Sequence, residues 1–322
     1  YNFAEILHVQ KGVTIYRPTL FDFLAQNALE FYKTSETTMT KPSYQFKIDS
    51  PELLQNASAF SLLNLNTKDS LSLQLNALKI YQTLLLSHMN DTDKRALVRV
   101  DLERLLFVKK HATFKTKNAL YLETLKASQE TYKTTEASAL YAFEIAQIYH
   151  LEAKSSKVNK KSDNRFKNLE AIAICEEILE KFPKSLGAKK CKTLKSQIEQ
   201  KTLEIRTEKY VPINTNSLFL IRYKNIDSLY FTSYKIHQKD LLAFRKMYKN
   251  EEKIKCIQQL EKHKSWNVHL RNEGDYLPHK TEIIVPKLEG GIYVIVSSES
   301  KEYNAEKIVG ITTIQSTNLS LI

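Results

Sequence analysis

The stretch PKLEGGIYVIVSS, residues 286–298, decides the fold of the last third of this 322-residue chain. Its order Leu-x-x-Gly-x-Tyr predicts a corner at which the chain crosses into a β-strand of a sandwich. Leu288 would close the base of the core, and Gly291 would permit the sharp entry into the strand. Tyr293 would donate its hydroxyl hydrogen to a backbone carbonyl just upstream, so we predict a structural role for it and not that of a catalytic phenol.

Around this corner, from residue 206 to residue 322, the apolar residues repeat with period two, which is typical of strands. Strand-like runs are SLFLIRYKNI, SLYFTSYKIH, SWNVHLRNE, HKTEIIVPKL, GGIYVIVSS and EKIVGITTIQ. Only residues 240–263 interrupt them with helical spacing. The pattern predicts an antiparallel β-sandwich over 206–322 with a helical insertion around 240–263.

Residues 1–205 have helical periodicity after an extended lead-in. Helices are predicted at 18–32, 70–89, 91–111, 116–133, 136–153, 166–182 and 185–205. The first has two apolar stripes, which predicts burial on two sides. Because most of the links are short, successive helices should pair as antiparallel hairpins.

A degenerate tetratricopeptide-like repeat is indicated by ALYAFEIAQIY and NLEAIAICEEILEKFPKS. Ala146 and Tyr149 have the spacing of the small residue and the aromatic residue of its first helix. Ala171 resembles the small residue of its second helix, and Pro183 would end that helix because proline cannot continue it. Tyr149 and Ala171 are 22 residues apart where the repeat has nine, so the basic segment 154–167 is interpreted as an inserted, solvated loop.

The composition excludes several classes of protein. The net charge is +12, but the basic residues are spread along the chain and no nucleic-acid motif accompanies them, so no nucleic-acid partner is expected. No run of apolar residues is long enough for a transmembrane helix. Cys175, Cys191 and Cys256 lack metal-ligand spacing and are predicted to be free thiols in apolar surroundings.

Known reactive motifs are missing from the sequence. The eight histidines include no His-x-x-x-His pair on one helix, and no glycine-rich phosphate loop or Gly-x-Ser-x-Gly elbow is found. We therefore predict no catalytic residue, no metal site and no cofactor. The chain starts at Tyr1 and not at Met, which is typical of a mature form or of a piece of a longer chain.

The pieces together resemble the N-terminal part of bacterial alpha-2-macroglobulin-like proteins. The resemblance rests on TLFDFLAQNALEFY, AIAICEEILEKFPKSLGAKKC, LIRYKNIDSLYFTSYKI, DYLPHKTEIIVPKLEGGIYVIVSS and VGITTIQSTNLSLI, in that order. It implies a tetratricopeptide-like helical array over 1–205 and an immunoglobulin-like, macroglobulin-type sandwich over 206–322. The family's thioester motif, Cys-x-Glu-Gln, is not present, because CEEI at Cys175 has Ile178 in place of the glutamine.

By function, the resemblance implies a non-enzymatic scaffold or recognition segment of an exported envelope protein that traps or inhibits proteases. Its partners would be proteases or envelope proteins, in the periplasm or at the cell surface, with a lipid anchor upstream of Tyr1. The alternative is a stand-alone tetratricopeptide-like adaptor that binds a protein or peptide. An enzyme with an unrecognised site remains a third interpretation.

Overall fold

The computed structural model describes residues 12, 14–34, 43–156, 163–303, 307 and 309–319. Most of the predicted lead-in and the centre of the basic loop lie outside the described residues. In the described part, eight α-helices precede the first strand, and eight strands with two further helices follow. The predicted α+β class, with helices first and strands second, is confirmed.

The seven predicted helices are all found in the predicted order, and one further short helix lies between the first two of them. They are α1 (Leu20–Tyr32), α2 (Ala57–Ser61), α3 (Leu73–His88), α4 (Arg95–His111), α5 (Lys117–Thr131), α6 (Ser138–Ser155), α7 (Lys167–Lys181) and α8 (Leu186–Glu199). A short 3-10 turn at Pro51–Leu54 and the one-turn α2 fill the region between α1 and α3 that the periodicity did not assign.

The chain divides into two compact units. The helical unit comprises Tyr1–Glu152 and Glu170–Lys195, and the sandwich unit comprises Ala153–Leu169 and Ser196–Ile322. This division differs from the predicted boundary at residue 205 in two ways: residues 153–169 group with the strands, and the second unit begins at residue 196.

Only one side of α1 is buried. Thr19 caps the helix, since its hydroxyl accepts from the Asp22 backbone N–H and its own N–H donates to the Asp22 carboxylate. Ala25 and Leu29 lie on the buried side. Leu24 and Phe31 are 57% and 52% exposed, so the prediction that α1 is buried on two sides is wrong for the described part of the chain.

The centre of the helical unit contains a fully buried polar network. Arg104 on α4 donates to Asp101 and to the carbonyls of Leu53 and Gln55, and its guanidinium lies over the Phe60 ring at 4.3 Å. The Tyr141 hydroxyl on α6 donates to the second Asp101 oxygen at 2.6 Å. Because every charge has partners here, the network holds α4, α6 and the 51–55 segment together.

Arg104→Met should destabilise the chain by about 3–5 kcal/mol, because it leaves the Asp101 carboxylate buried without its cation. The double variant Arg104→Met, Asp101→Leu should lose less stability than the two single losses added together. Urea unfolding of the four proteins measures this coupling. Additive losses would show that the two side chains do not act as a pair.

The strands form two sheets. They are β1 (Thr202–Thr207), β2 (Tyr210–Val211), β3 (Ser217–Lys224), β4 (Ser228–Ile236), β5 (Lys262–His269), β6 (His279–Val285), β7 (Gly291–Ser298) and β8 (Val309–Ser316). One sheet has the order β1-β3-β6 and the other the order β2-β8-β7-β4-β5. All pairs are antiparallel except β2 with β8, which is parallel, so the prediction of a wholly antiparallel sandwich needs this correction.

The sequence prediction extended the last helix too far. Ile205 was expected at its end, but it lies in β1, pairs with Ile221 of β3 and packs on the sandwich core. Residues 202–207 read Thr-Leu-Glu-Ile-Arg-Thr, in which apolar and polar residues alternate and three residues are β-branched. This local pattern favours a strand over a helix.

The core between the two sheets has contributions from both. Phe219 and Ile283 come from the three-stranded sheet, while Phe231, Tyr293 and Ile314 come from the five-stranded sheet. The two sheets therefore pack face to face.

The opposite face of the five-stranded sheet is covered by α9 (Gln238–Arg245) and α10 (Asn250–Ile257), which follow β4. Leu241, Phe244 and Ile257 of these helices pack on Val294 and Val296 of β7. β7 is thus buried on both of its faces, which accounts for its uninterrupted apolar run.

The end of the basic loop is held by the sandwich unit. Arg165 donates to Asp275 at 2.8 Å and also contacts Glu273, and the Asn168 amide donates to the Asp275 carbonyl at 3.0 Å. Asp275 also lies 2.9 Å from His279. The interpretation of 154–167 as a solvated loop is therefore wrong at Arg165, and these bonds explain why residues 163–169 group with the strands.

Candidate functional site

The predicted corner residues lie together at the start of β7. The Tyr293 hydroxyl donates to the Glu289 carbonyl at 3.2 Å, and Leu288 is buried in the sandwich core. Gly291 has a φ of +152°, and a Cβ there would lie 3.2 Å from Cε of Lys235. These contacts join the segment before β7 to the first residues of the strand, and their role is structural.

The predicted repeat residues lie in the helical unit. Ala146 and Ala171 are fully buried, and Tyr149 is buried with the Lys126 ammonium over its ring at 5.5 Å. Pro183 is exposed in the link between α7 and α8. The small residues on α6 and α7 permit close packing of the helix backbones, and none of the four contributes a reactive group.

Tyr293→Phe should lower stability by about 1 kcal/mol, the typical net value of one hydrogen bond to a buried group. Tyr230→Phe is a matched control on β4, because no hydrogen bond of the Tyr230 hydroxyl is described. Chemical denaturation of both variants measures the difference. Equal stability of the two variants would mean that the corner hydrogen bond does not hold this strand.

One histidine has the surroundings of a catalytic residue. His88, buried at the end of α3, lies with Nε2 2.6 Å from Asp22 and Nδ1 2.7 Å from Asp91. The hydrogen bond to Asp22 raises the pKa of His88, although burial acts to lower it. Burial acts to raise the pKa of Asp22, but the bonds from His88 and Thr19 outweigh it and the pKa is lowered. With a carboxylate on each ring nitrogen, His88 is engaged as a structural ion pair linking α1 to α3.

The ion pair predicts a pH dependence of stability. The pKa of His88 is raised in the folded chain. The contribution of His88 to stability is therefore complete below its ordinary pKa of 6.5 and is lost as the pH rises through its pKa in the folded chain. The pKa of Asp22 is lowered in the folded chain, so its contribution to stability is present above its ordinary pKa of 3.8 and is lost as the pH falls through its pKa in the folded chain.

The free energy of unfolding of the native chain should therefore exceed that of His88→Gln most near about pH 6, and the difference should shrink towards about pH 9. Glutamine keeps hydrogen-bonding capacity without the charge. Urea titrations of both proteins at several pH values measure the difference. A gap that stays constant over this range would contradict the assignment of a charged His88.

The described residues contain no group of three or more His, Cys, Asp or Glu side chains that could hold a metal ion. Cys175 and Cys191 are buried free thiols, and Cys256 is partly buried. The hydrogen bond to Cys191, together with burial, raises the pKa of Cys175, so this thiol is not disposed to react as a thiolate. No helix within the described ranges is long and apolar enough to cross a membrane.

The feature of the helical unit best suited to recognition is an open cavity of about 620 Å³, here called the basic pocket. Its lining includes five cationic side chains, those of Arg17, Arg95, Arg99, Lys184 and Lys189, and one carboxylate, that of Glu136. Negatively charged groups of a binding partner are attracted to such a site.

The five cations are not equally engaged. Arg95 donates to Asp93 and, at 2.6 Å, to Glu136, while Arg99 donates to Glu103 at 2.8 Å. Within the described part of the chain, Arg17, Lys184 and Lys189 have no ion pair or side-chain hydrogen bond. No described side chain neutralises these three charges at the pocket.

The beginnings of three alternate helices, α4, α6 and α8, lie at or beside the pocket. Arg95 and Arg99 occupy the first two turns of α4, Glu136 lies two residues before the start of α6, and Ser185 caps α8 by accepting from the Ala188 N–H. A Cβ on Gly187 would lie 2.4 Å from the Ala139 backbone, so the first turns of α6 and α8 are in direct contact.

The positive ends of these helix dipoles add to the charge of the side chains. The first turns of α4, α6 and α8 contain no acidic residue, and Asp93, just before α4, accepts from the Arg95 backbone N–H at 3.0 Å. The wall of the pocket also has apolar parts, contributed by Ile15, Leu186 and the Tyr16 ring. Burial and the nearby Glu136 raise the pKa of the Tyr16 hydroxyl, so it stays neutral and can donate a hydrogen bond.

This pocket is not apparent in the amino-acid sequence. Its cations come from three separate segments, near residues 17, 95–99 and 184–189, and in none of them are basic residues dense enough to stand out. The densest basic segment, 154–167, instead contributes Arg165 to the sandwich unit. The only local signal was Arg95 and Arg99 at a spacing of four, which places both on one face of a helix.

Comparison with known proteins gives little beyond these observations. No family model and no curated protein matches the chain. Among solved structures, it is similar to the CARDB domain of a Pyrococcus furiosus protein in complex with di-metal ions, at 15% identity over 37% of this chain and 88% of that chain, with a TM-score of 0.21. It is also similar to Pseudomonas fluorescens alkylpurine DNA glycosylase AlkC bound to DNA containing an abasic site analog, at 12% identity over 93% of this chain and 99% of that chain, with a TM-score of 0.19. Scores this low carry no argument about fold or function.

Proposed function

We propose that the chain is a non-catalytic recognition segment of an envelope protein related to the alpha-2-macroglobulins. In this proposal the helical unit is a tetratricopeptide-like docking surface, and the sandwich unit is the first macroglobulin-type module. The protein would be exported to the periplasm or cell surface and anchored by lipid upstream of Tyr1. Its partners would be proteases or other envelope proteins.

The strand order supports an immunoglobulin-type sandwich. If β1, β3, β4, β5, β6, β7 and β8 are taken as strands A, B, C, C′, E, F and G, the three-stranded sheet is A-B-E and the five-stranded sheet is G-F-C-C′ with β2 as an additional edge strand beside G. This is the division of strands in that fold, and the tyrosine corner belongs at the start of strand F. Tyr293 occupies that position and donates to Glu289.

The observation that carries the recognition role is the basic pocket. The three cations that have no partner among the described residues, together with the partly apolar wall, form a surface that can hold the side chains of a protein partner. Lysine and arginine at a pocket rim increase association rates with acidic partners and select against basic ones. The pocket lies wholly within the helical unit, which also supports the alternative of an adaptor that works without protease inhibition.

The two functions make different predictions for the natural protein that contains this chain. A macroglobulin-like protein should be recovered in the envelope fraction and should slow the digestion of a large protein substrate by at least one protease from a panel of serine, cysteine and metalloproteases. An adaptor should bind its partner without any effect on digestion. A cytoplasmic location with no inhibition across the panel would contradict the first proposal.

A further inference from the structure

We propose that the basic pocket binds an acidic protein segment that places one apolar side chain between two or more carboxylates. This inference deepens the proposed function, because it takes the helical unit as the recognition surface and assigns the chemistry of its ligand. It follows from the charges, the shape and the wall of the pocket.

The charges require an anionic ligand. Arg17, Lys184 and Lys189 face the cavity without a partner among the described residues, and Arg99 uses Nε for Glu103, so its terminal nitrogens are available. Lys184 and Lys189 lie on either side of Ser185, at the entry to α8. A ligand with carboxylates on both sides of its centre could contact the lysines with one group and Arg17 or Arg99 with another.

The wall favours a protein segment over a phosphate polymer. Glu136 lies in the lining and holds one oxygen against Arg95 at 2.6 Å, so an unbroken row of phosphates would meet a negative charge inside the pocket. Ile15, Leu186 and Tyr16 provide an apolar surface that a phosphodiester backbone cannot use. A leucine or similar side chain flanked by glutamates satisfies both parts of the wall.

The volume agrees with this ligand. About 620 Å³ lies within the range of cavities of about 300–1,000 Å³ that hold ligands of drug-like size, which corresponds to a few amino-acid side chains. The bond from Ala188 N–H to the Ser185 hydroxyl satisfies part of the first turn of α8, so the side-chain cations and not the helix end are the main ligand contacts.

The test measures binding of a fluorescent peptide in which a single leucine is flanked by glutamates, by anisotropy at low and at physiological salt. Lys184→Glu, Lys189→Glu reverses two exposed charges of the pocket. Lys79→Glu, Lys192→Glu is the matched control, because it changes the net charge of +12 equally at two exposed helix positions outside the pocket lining. Both double variants should fold normally, which thermal melts verify.

The pocket variant should bind the peptide at least about ten-fold more weakly, and the control should stay within about two-fold of the native chain. Replacement of the leucine by serine in the peptide should also weaken binding to the native chain. Equal losses in both double variants would overturn the proposal in favour of diffuse attraction. Tighter binding of a single-stranded oligodeoxynucleotide of equal charge would overturn it in favour of a nucleic-acid ligand.

The failure of this inference can be distinguished from failure of the proposed function. If the natural protein inhibits a protease but the Lys184→Glu, Lys189→Glu variant binds the peptide as tightly as the native chain, the inference fails and the macroglobulin-like function stands. If the peptide binds as described but no protease is inhibited, the inference stands and the macroglobulin-like function fails.

Discussion

The sandwich unit depends on the burial of β7 on both faces. Tyr293 and Ile295 enter the core shared by the two sheets, while Val294 and Val296 pack beneath α9 and α10. A strand in this position needs apolar side chains at consecutive positions, since both of its faces are buried. Its backbone must also enter the sheet without being exposed. Gly291 and the Tyr293 hydroxyl provide that entry, and the neighbouring strands β4 and β8 pair with β7 along its length.

The helical unit follows a different constraint. The beginnings of α4, α6 and α8 meet at the basic pocket, where Gly187 against Ala139 brings α6 and α8 into contact. The dipoles of the helices then point their positive ends to the same side.

Much of the fold could be predicted because it is encoded locally. The helix periodicity, the period-two runs and the Leu288–Gly291–Tyr293 corner all depend on residues close in sequence. β1 was missed because Thr202–Thr207 is short and directly follows a helix. The exposed side of α1 could not be foreseen, since the sequence marks Leu24 and Phe31 as apolar without saying which side of the helix has a neighbour.

The candidate site could not be predicted because it, too, depends on contacts between residues that are far apart in the sequence. Arg17, Arg95 and Lys184 are far apart in the sequence and meet only through helix packing, whereas the dense basic segment proved to hold an anchoring residue, Arg165. Buried pairs such as Arg104 with Asp101 were also invisible, because charged residues at helical spacing look the same whether they face water or the core.

Hydrogen–deuterium exchange of the intact chain, with and without the acidic leucine-containing peptide, tests most directly whether the helical unit is the recognition surface. Recognition at the basic pocket predicts slower exchange in the segments 14–19, 93–99 and 184–190, with the sandwich strands unchanged. Slower exchange confined to residues 202–316, with the three pocket segments unaffected, would contradict it.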